Sequence, residues 1–245
     1  MIQNPETRLW QSPYWHPAVA TDAVVLGFDG EDLHLLLVKR GGEPYKDCWA
    51  LPGGFMKEDD QNAKECMLRE LHEETNVSGI YLEELFTSSQ IDRDPRERVI
   101  SIAFFALVVK SRYKVMGGDD AVLAKWFPVR ELDGLDLAFD HKEIIDKALE
   151  RLRQRIHFEP VGFHLLDREF TMPQLQNIYL AILDPDGNNL KLQDRRNFLK
   201  KMLHLGYVKD TGRKLSGGAH KSPKLYTFDE AAYQDAKKLG MRLEF

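Results

Sequence analysis

The apolar positions near the start of the chain fall in short runs that are separated by polar turns. Ala18–Phe28 is apolar and contains several β-branched residues, Asp29-Gly30-Glu31-Asp32 is typical of a turn, and Leu33–Arg40 is apolar again. Two such runs around a short turn predict a β-hairpin. The run Trp49–Gly54 then predicts another strand, which leads into a turn at its two glycines.

Strand-like and helical patterns alternate in the next part of the chain. Three runs have the length and composition of strands: Tyr81–Ile91, Val99–Val109 and Ala124–Pro128. Asn62–Thr75 has helical spacing, with Asp59 or Asp60 as its N-cap and Asn76 as a left-handed residue at its end. Asp140-His141-Lys142-Glu143 has the pattern of a capping box and predicts a helix to about residue 155. Mixed strands with few helices predict an α+β domain here.

The pattern changes in the last third of the chain. Phe170-Thr171-Met172-Pro173-Gln174 predicts the start of a helix, because a threonine cap, an early proline and a glutamine three residues after the cap occur together. A turn is predicted at Asp184–Asn189. Asp194 caps a second predicted helix, which runs to Leu205 and stops at Gly206.

The second of these helices has one apolar face and one basic face. The apolar face is made by Phe198, Met202 and Leu205, and the basic face carries Arg195, Arg196, Lys200 and Lys201. Tyr207–Lys209 and Lys224–Phe228 follow as two short predicted strands around Asp210–Pro223, which is rich in glycine, lysine and arginine. A helix, a basic helix and a hairpin with a long basic tip predict a winged helix-turn-helix.

Charge is distributed unevenly along the chain. The net charge of −5 argues against a nucleic-acid partner, but the segment from Pro160 to the end contains 14 Lys and Arg against 10 Asp and Glu. Within Lys191–Lys224, 10 basic residues accompany only 2 acidic ones. A DNA-binding unit needs such a concentrated basic patch, although a solvated charged face can have the same composition.

The composition predicts a cytoplasmic protein. Apolar residues make up 43% of the 245 residues, which is enough to bury a sizeable core. The sequence has no run of about 18 apolar residues and no signal-peptide pattern at its start, so we expect neither a membrane span nor secretion. Two cysteines without a metal-type cluster, Cys48 and Cys66, indicate reduced thiols; a disulfide between them is the alternative.

Three glutamates of the first predicted helix lie within about one turn. Glu70 and Glu74 are four positions apart and Glu70 and Glu73 are three apart, so their carboxylates can converge. Converging carboxylates repel one another, and a hard divalent cation such as Mg²⁺ or Mn²⁺ would neutralise them. Arg69 lies four positions before Glu73 and could hold it in place. The alternative is a solvated helix face with this spacing by coincidence.

This segment resembles the Nudix box, whose pattern is Gly, five residues, Glu, seven residues and then Arg-Glu-apolar-any-Glu-Glu-any-Gly-apolar. Arg69-Glu70-Leu71-His72-Glu73-Glu74 matches the Arg-Glu-apolar-any-Glu-Glu part completely, and Leu51-Pro52-Gly53-Gly54-Phe55 fits the residues that precede it. The two glycines would let the chain pass close to a metal and a phosphate.

Two features depart from the pattern of the box. The interval from Gly54 to Arg69 is one residue too long, so the isolated Glu falls on Asp60 when counted forwards and on Gln61 when counted backwards. Asn76 replaces the late glycine, and asparagine also tolerates the left-handed region. The metal-binding half is therefore intact, whereas the loop before it is altered.

The resemblance implies a Nudix-type domain over residues 1–157, with its box at about 54–77 and a connecting helix. The implied fold is an α/β/α sandwich around a mixed sheet, and the implied reaction is attack of water on a nucleoside diphosphate derivative with Mg²⁺ or Mn²⁺. Candidate metal ligands are Glu70, Glu73, Glu74 and Asp60, of which Glu70 and Glu74 are the candidate catalytic carboxylates. Candidate ligand-binding residues are Gly53, Gly54, Arg40 and Arg69.

Arg40 is preferred to its neighbour Lys39 as a phosphate contact. Neighbouring residues of a strand point to opposite faces, so only one of the two is expected to meet a ligand. The guanidinium of arginine can bind a phosphate through two parallel hydrogen bonds. The alternative is an exposed residue at the end of a strand.

The last third of the chain resembles the winged-helix domain of the NrtR family of Nudix-related transcription regulators. The matching stretches are Phe170–Gln176, Asp194–Phe198 and Thr211–Arg213, and two stretches resemble the junction in that family, Ala138–His141 and Pro160–Phe163. The resemblance implies a winged-helix domain over residues 158–245, a homodimer, a double-stranded DNA operator and an effector that is ADP-ribose-like or sugar-related.

Candidate DNA contacts follow from the basic helix and the basic tip of the hairpin. They are Arg195, Arg196, Asn197, Lys200, Lys201, Arg213, Lys214, His220 and Lys221. Asn197 is the candidate for a base edge, and capping or a buried hydrogen bond is the alternative for it.

Two functions from different classes remain open at this point. The first is a DNA-binding regulator whose Nudix domain senses the effector, and the basic run Lys191–Lys224 favours it. The second is a Mg²⁺-dependent pyrophosphohydrolase that acts on ADP-ribose or a related compound, and the complete Arg69–Glu74 run favours it. The two are compatible, because an enzyme that destroys its effector can also regulate.

Overall fold

The computed structural model describes residues 2–3, 10–12, 14–118, 121–215 and 222–238. In the N-terminal part, strands β1 (Ile2–Gln3) and β2 (Trp10–Gln11) pair with each other and form a separate two-stranded sheet. Within the described ranges, no helix is both long enough and apolar enough to cross a bilayer.

A seven-stranded mixed sheet forms the centre of the first two thirds of the chain. Its strands are β3 (Ala18–Phe28), β4 (Leu33–Arg40), β5 (Trp49–Ala50), β6 (Gly53–Phe55), β7 (Glu83–Ser88), β8 (Val99–Val109) and β9 (Ala121–Pro128). The main path runs β5-β4-β3-β8-β7, with β6 paired to β3 and β9 paired to β4. The pairing of β3 with β8 is parallel and the others are antiparallel. The predicted hairpin of β3 and β4 is confirmed.

Alternate residues of β3 and β4 face two different helices, which gives the sandwich its two cores. Val24, Leu26 and Leu35 share one apolar cluster with Ile144 and Ile145 of helix α2 (His141–Arg155). The residues that alternate with these along β3 and β4 face the opposite side of the sheet. They form a second apolar cluster with the buried side chains of helix α1 (Ala63–Thr75). The period of two along a strand therefore buries both faces of the sheet, and the predicted α/β/α sandwich is confirmed.

The caps of α1 and α2 differ from the prediction. Asn62 caps α1 by accepting a hydrogen bond from the backbone N–H of Glu65, so the prediction of Asp59 or Asp60 was wrong. Asn76 ends the helix with a φ of 59°, as predicted. Asp140 precedes α2 but its side chain makes no capping hydrogen bond, because buried partners occupy its carboxylate.

A winged-helix unit follows. Its elements are β10 (Glu169–Thr171), α3 (Met172–Leu183), α4 (Leu190–Gln193), α5 (Arg195–His204), β11 (Val208–Lys214), β12 (Lys224–Phe228) and α6 (Glu230–Lys238). The strands form a sheet in the order β10-β12-β11. The capping box at Thr171 and Gln174, the cap at Asp194 and the stop at Gly206, whose φ is 77°, are confirmed. The patterns did not predict β10, α4 or α6.

The two units share one hydrophobic core. The cluster that contains Leu26 and Ile144 continues through Ile156 and Val161 to Leu175 of α3. The connecting segment contains a short 3-10 helix, Val161–Leu165, in which Val161, Gly162 and Leu165 are buried. A packed core of this kind makes the junction stiff, which a solvated linker would not.

Candidate functional site

The glycine pair lies in strand β6 and does not form the predicted turn. Gly53 pairs with Asp22 and Gly54 with Thr21 of β3, and neither glycine has a positive φ. A Cβ on Gly53 would lie 2.1 Å from the Thr21 carbonyl oxygen, and a Cβ on Gly54 would lie 2.5 Å from Cδ of Glu70. The sequence needs glycine here because β6 packs directly against β3 and against the Glu70 carboxylate, and a side chain would prevent that approach.

A cavity of about 410 Å³ opens next to this strand. Of the residues predicted to bind ligand or metal, five line it: Arg40, Gly53, Gly54, Glu70 and Glu74. Lys39 does not line it, in keeping with the alternation of side chains along β4. The cavity walls also contain Arg93, Arg96, Phe139 and His141, which sequence reasoning did not identify as site residues.

Arg69 lies among the acidic residues of the box, outside the cavity lining. Its Nη1 donates to Glu70 Oε1 at 2.5 Å and to Glu73 Oε2 at 3.1 Å. Its Nε and Nη2 donate to the two carboxylate oxygens of Asp60 at 2.9 and 2.7 Å. The hydrogen bonds from Arg69 hold the pKa of Asp60 well below its usual value. Arg69 therefore holds Glu73, as predicted, and also fixes Glu70.

Asp60, one of the two residues on which the isolated Glu of the box can fall, has its carboxylate bonded to Arg69. Its side chain is one methylene shorter than that of glutamate, and the loop before Arg69 is one residue longer. The Asp60 carboxylate also accepts a hydrogen bond from the backbone N–H of Lys57 at 2.8 Å.

Glu74 lies at the inner end of the cavity with little to stabilise a negative charge. The backbone N–H of Gly53 donates to its Oε2 at 2.9 Å. Burial is the main cause that raises the pKa of Glu74 to about 8; the hydrogen bond from Gly53 and the charge of Arg40 lower it, and the nearby carboxylates of Glu70 and Asp22 raise it. An additional positive charge in the cavity would reverse this shift.

The acidic residues of the box divide into two groups. Glu70 and Glu74 line the cavity, whereas Asp60 and Glu73 bind Arg69 and do not line it. In the described part of the chain, no three His, Cys, Asp or Glu side chains are placed to hold one ion. Mg²⁺ is commonly bound by one or two carboxylates together with water and ligand phosphates, so Glu70 and Glu74 would suit a divalent cation whose other ligands are water and the phosphates of a bound molecule.

Glu74→Gln is expected to stabilise the metal-free protein at pH 8–9. The pKa of Glu74 is about 8 in the folded protein, against 4.5 for an ordinary glutamate, so the folded state binds more protons between these pH values. Its contribution to stability is therefore lost as pH rises from about 4.5 to 8, on the order of a few kcal/mol in all. Urea unfolding at pH 5 and pH 8.5 with chelator measures this difference. If the wild-type protein and the Glu74→Gln variant lost the same unfolding free energy between these pH values, the raised pKa of Glu74 would be contradicted.

A buried ionic network forms the wall behind the cavity. Nη2 of Arg93 donates to Asp22 Oδ2 at 3.2 Å and to Asp140 Oδ1 at 2.8 Å. Nδ1 of His141 accepts a hydrogen bond from the backbone N–H of Leu51 at 2.9 Å, so Nε2 carries the proton and faces Asp22 Oδ1 at 3.3 Å. Burial alone would raise the pKa of Asp22, but His141 and Arg93 hold it below its usual value.

Phe139 lines the cavity, and two guanidinium groups lie near its ring. Its φ is 54°, and its ring is 4.8 Å from Cζ of Arg40 and 5.7 Å from Cζ of Arg96. Arg96 also lies over the ring of Phe55, at 5.1 Å. Guanidinium groups beside aromatic rings can bind phosphates and stack against a base or sugar, so this end of the cavity suits a nucleotide-like ligand.

Helix α5 presents a polar face to solvent. Phe198 and Met202 are buried, and the exposed residues of the helix include all five that were predicted to contact DNA: Arg195, Arg196, Asn197, Lys200 and Lys201. The carboxylate of Asp194 accepts from the backbone N–H groups of Arg196 and Asn197 at 2.9 and 3.0 Å. The helix therefore exposes several basic side chains, while its buried apolar residues and its N-cap fix its position.

The wing strands carry further basic residues, some of which have acidic partners. Lys214 is exposed, whereas Arg213 pairs with Glu169 and Lys224 pairs with Asp210. His220 and Lys221, which were also predicted to contact DNA, lie outside the described residues.

Two family models match adjoining parts of the chain. The NUDIX domain model matches residues 16–151, and the NrtR DNA-binding winged helix domain model matches residues 162–228. The two matches together cover most of the sequence.

Three known proteins show where the similarity lies. The ADPR responsive transcriptional repressor NtrR of Acinetobacter baylyi is 32% identical over 219 residues, which are 89% of this chain and 84% of that protein. The ADP-ribose pyrophosphatase of Methanocaldococcus jannaschii is 42% identical over 132 residues, 54% of this chain and 73% of that protein. The crystal structure of Shewanella oneidensis NrtR complexed with a 27mer DNA matches with a TM-score of 0.72 at 28% identity, covering 88% of this chain and 95% of that one.

Proposed function

Because this chain belongs to the NUDIX family and carries an NrtR-type winged-helix domain, we propose that it is a transcription regulator whose DNA binding responds to ADP-ribose or a closely related nucleotide sugar. One observation supports this proposal most strongly. A cavity lined by arginines and carboxylates and an exposed basic helix occur in two units that share one hydrophobic core. The Acinetobacter relative, an ADPR responsive repressor, supports it. We assign residues 1–157 to the effector-binding domain and residues 158–245 to the DNA-binding domain.

The effector site is the cavity beside β6. Arg40 and Arg96 would bind the diphosphate, and Phe139 near them would contact a ring of the ligand. Glu70 and Glu74 would hold Mg²⁺ or Mn²⁺, which would neutralise their charge and that of the diphosphate. Arg69, Asp60 and Glu73 act indirectly, because they position Glu70.

The DNA site is the exposed face of α5 together with the wing. Arg195, Arg196, Lys200 and Lys201 would bind phosphates, and Asn197 is the candidate for a base edge. A regulator of this type would act on the chromosome in the cytoplasm, as a homodimer on an operator with two half-sites.

Arg196→Ala is expected to weaken binding to an operator duplex by about tenfold, because one charge-assisted phosphate contact is lost. The slope of log K against log salt should fall by about 1. The duplex is selected by the full-length protein from a random-sequence library, and affinity is measured by fluorescence anisotropy at several salt concentrations. Arg130→Ala removes the same charge from the NUDIX surface, where Arg130 pairs with Asp32, and should leave both quantities unchanged. Unchanged binding by the Arg196 variant would exclude α5 as proposed.

A second candidate function is hydrolysis of ADP-ribose. Two observations favour it: Glu70 and Glu74 both line the cavity, and the identity to the ADP-ribose pyrophosphatase of Methanocaldococcus jannaschii is 42% over 132 residues. A divalent cation, when bound, would neutralise the pyrophosphate oxygens. Glu70 or Glu74 would orient a water molecule and accept its proton, while Arg40 would hold the phosphates in place. AMP release from ADP-ribose, with Mg²⁺ and with chelator, tests this candidate. Many turnovers that require the metal would establish the hydrolase activity. If ADP-ribose binds but is not hydrolysed, the cavity acts only as a sensor.

A further inference from the structure

We propose that the turn Phe139–His141 and helix α2 transmit occupancy of the cavity to the DNA-binding helix, so that effector and DNA affinities are coupled through α2. This inference rests on the proposed function. Coupling between two sites requires an element that both sites can bias. Helix α2 begins at the cavity and packs against α3 of the winged-helix unit.

At the cavity, the turn before α2 lies next to side chains that would contact a bound ligand. Phe139 and His141 both line the cavity, and the guanidinium groups of Arg40 and Arg96 lie 4.8 and 5.7 Å from the ring of Phe139. A bound diphosphate would draw these guanidinium groups towards its oxygens and so change the packing around the Phe139 ring. Phe139 has a left-handed φ, which is uncommon for a bulky residue and couples its position tightly to the backbone of the next two residues.

The first residues of α2 are bonded to the cavity wall. Both oxygens of Asp140 accept from Arg93, at 2.8 and 3.1 Å, and Oδ2 also accepts from Ser88. His141 bonds Leu51 on one side and Asp22 on the other. Arg93 lines the cavity but Asp140 does not. Asp140 would therefore respond to a movement of Arg93 without contacting a ligand itself. A shift of Arg93 therefore displaces the N-terminus of α2.

The remainder of α2 packs into the core that the two units share. Its buried residues Ile145, Leu149 and Leu152 belong to the same apolar cluster as Leu175 and Ile178 of α3. Packed cores transmit a displacement because they contain little free volume to absorb it. Arg151 and Arg155 also bond to β7, so the helix is braced against the sheet at its far end and can pivot there.

Helix α3 in turn contacts α4 and α5, and α5 carries the exposed basic side chains. Nε2 of Gln176 donates to the carbonyl oxygen of Leu192 in α4 at 2.8 Å. The rings of Tyr179 and Phe198 meet edge to face with centroids 5.5 Å apart. A displacement of α3 consequently changes the position of α5, which carries the proposed DNA contacts.

The test measures how strongly ADP-ribose changes the Kd of the full-length protein for the selected operator duplex. Saturation with ADP-ribose is established for each variant by calorimetry, so a change in effector affinity does not enter the comparison. The wild-type protein should show a change of about fivefold or more, which is typical of allosteric coupling. Asp140→Asn keeps the size of the side chain but weakens its bond to Arg93, and the change should fall to less than twofold.

The matched control is Asp146→Asn, which makes the same substitution on the exposed face of α2, where Asp146 pairs with Lys142. It should retain the wild-type effect. Ser88→Ala, which removes one donor to Asp140, should give a partial loss and decides the question if Asp140→Asn does not fold or does not bind ADP-ribose. A full wild-type effect in both network variants would overturn the inference and leave the proposed function intact. A wild-type protein that binds both ligands without any mutual effect would instead contradict the proposed function.

Discussion

Phe198→Ala is expected to lower the free energy of unfolding by about 3–5 kcal/mol, since it empties the space of a large side chain in the core. Phe198 is 1% exposed and packs against Tyr179 inside the winged-helix unit. The shared core joins this unit to the sheet, so the loss should lower a single cooperative transition of the whole chain. DNA binding should be lost with it, because α5 is no longer held in place.

Urea unfolding followed by far-UV and near-UV circular dichroism measures this effect. Leu203→Ala is the matched control on the same helix, because Leu203 is 42% exposed, and it should cost less than about 1 kcal/mol. Two separate transitions, with only the weaker one displaced by Phe198→Ala, would show that the two units unfold independently and that the core does not couple them.

Gly53→Ala is expected to disrupt the cavity. The new Cβ would lie 2.1 Å from the Thr21 carbonyl oxygen and 3.0 Å from Cα of Asp22, both backbone atoms that cannot rotate away. Strand β6 would have to move off β3, at a cost of about 3 kcal/mol or more. The same movement would break the hydrogen bond from Gly53 to Glu74, so ADP-ribose affinity should fall at least about tenfold.

The control for this substitution is Gly42→Ala at the rim of the same cavity. A Cβ on Gly42 meets nothing within 4 Å, and its φ is not in the left-handed region. Its stability should change by no more than about 0.5 kcal/mol. Thermal unfolding and calorimetric titration with ADP-ribose compare the two variants. Equal behaviour of Gly53→Ala and Gly42→Ala would mean that the close packing of β6 against β3 is unimportant.

Elements whose stability depends on their own sequence were predictable. The bounds of β3, β4 and β8 agree with the apolar runs, because strands that are buried on both faces must be apolar throughout. Thr171 and Asp194 were identified as caps because capping depends on residues within three positions. The one-residue discrepancy in the box was visible as well, but only the fold shows that Asp60 reaches Arg69.

Features that depend on distant partners were not predictable. Asp140 fits a capping box by local pattern, yet Arg93, which is 47 positions away, binds its carboxylate. The two box glycines suggest a turn locally, whereas the requirement for glycine comes from the approach of β3 and Glu70. Arg93 and Arg96 lie in a polar loop without a recognisable spacing, so no sequence signal places them at the cavity.

The measurement that tests the central claim most directly is the Kd of the full-length protein for its selected operator duplex, without ADP-ribose and with a saturating concentration. The account predicts nanomolar-range binding that ADP-ribose changes by about fivefold or more, and that falls steeply with salt. A protein that turns over ADP-ribose but selects no duplex from the random library, or whose DNA affinity is the same with the ligand bound, would contradict it.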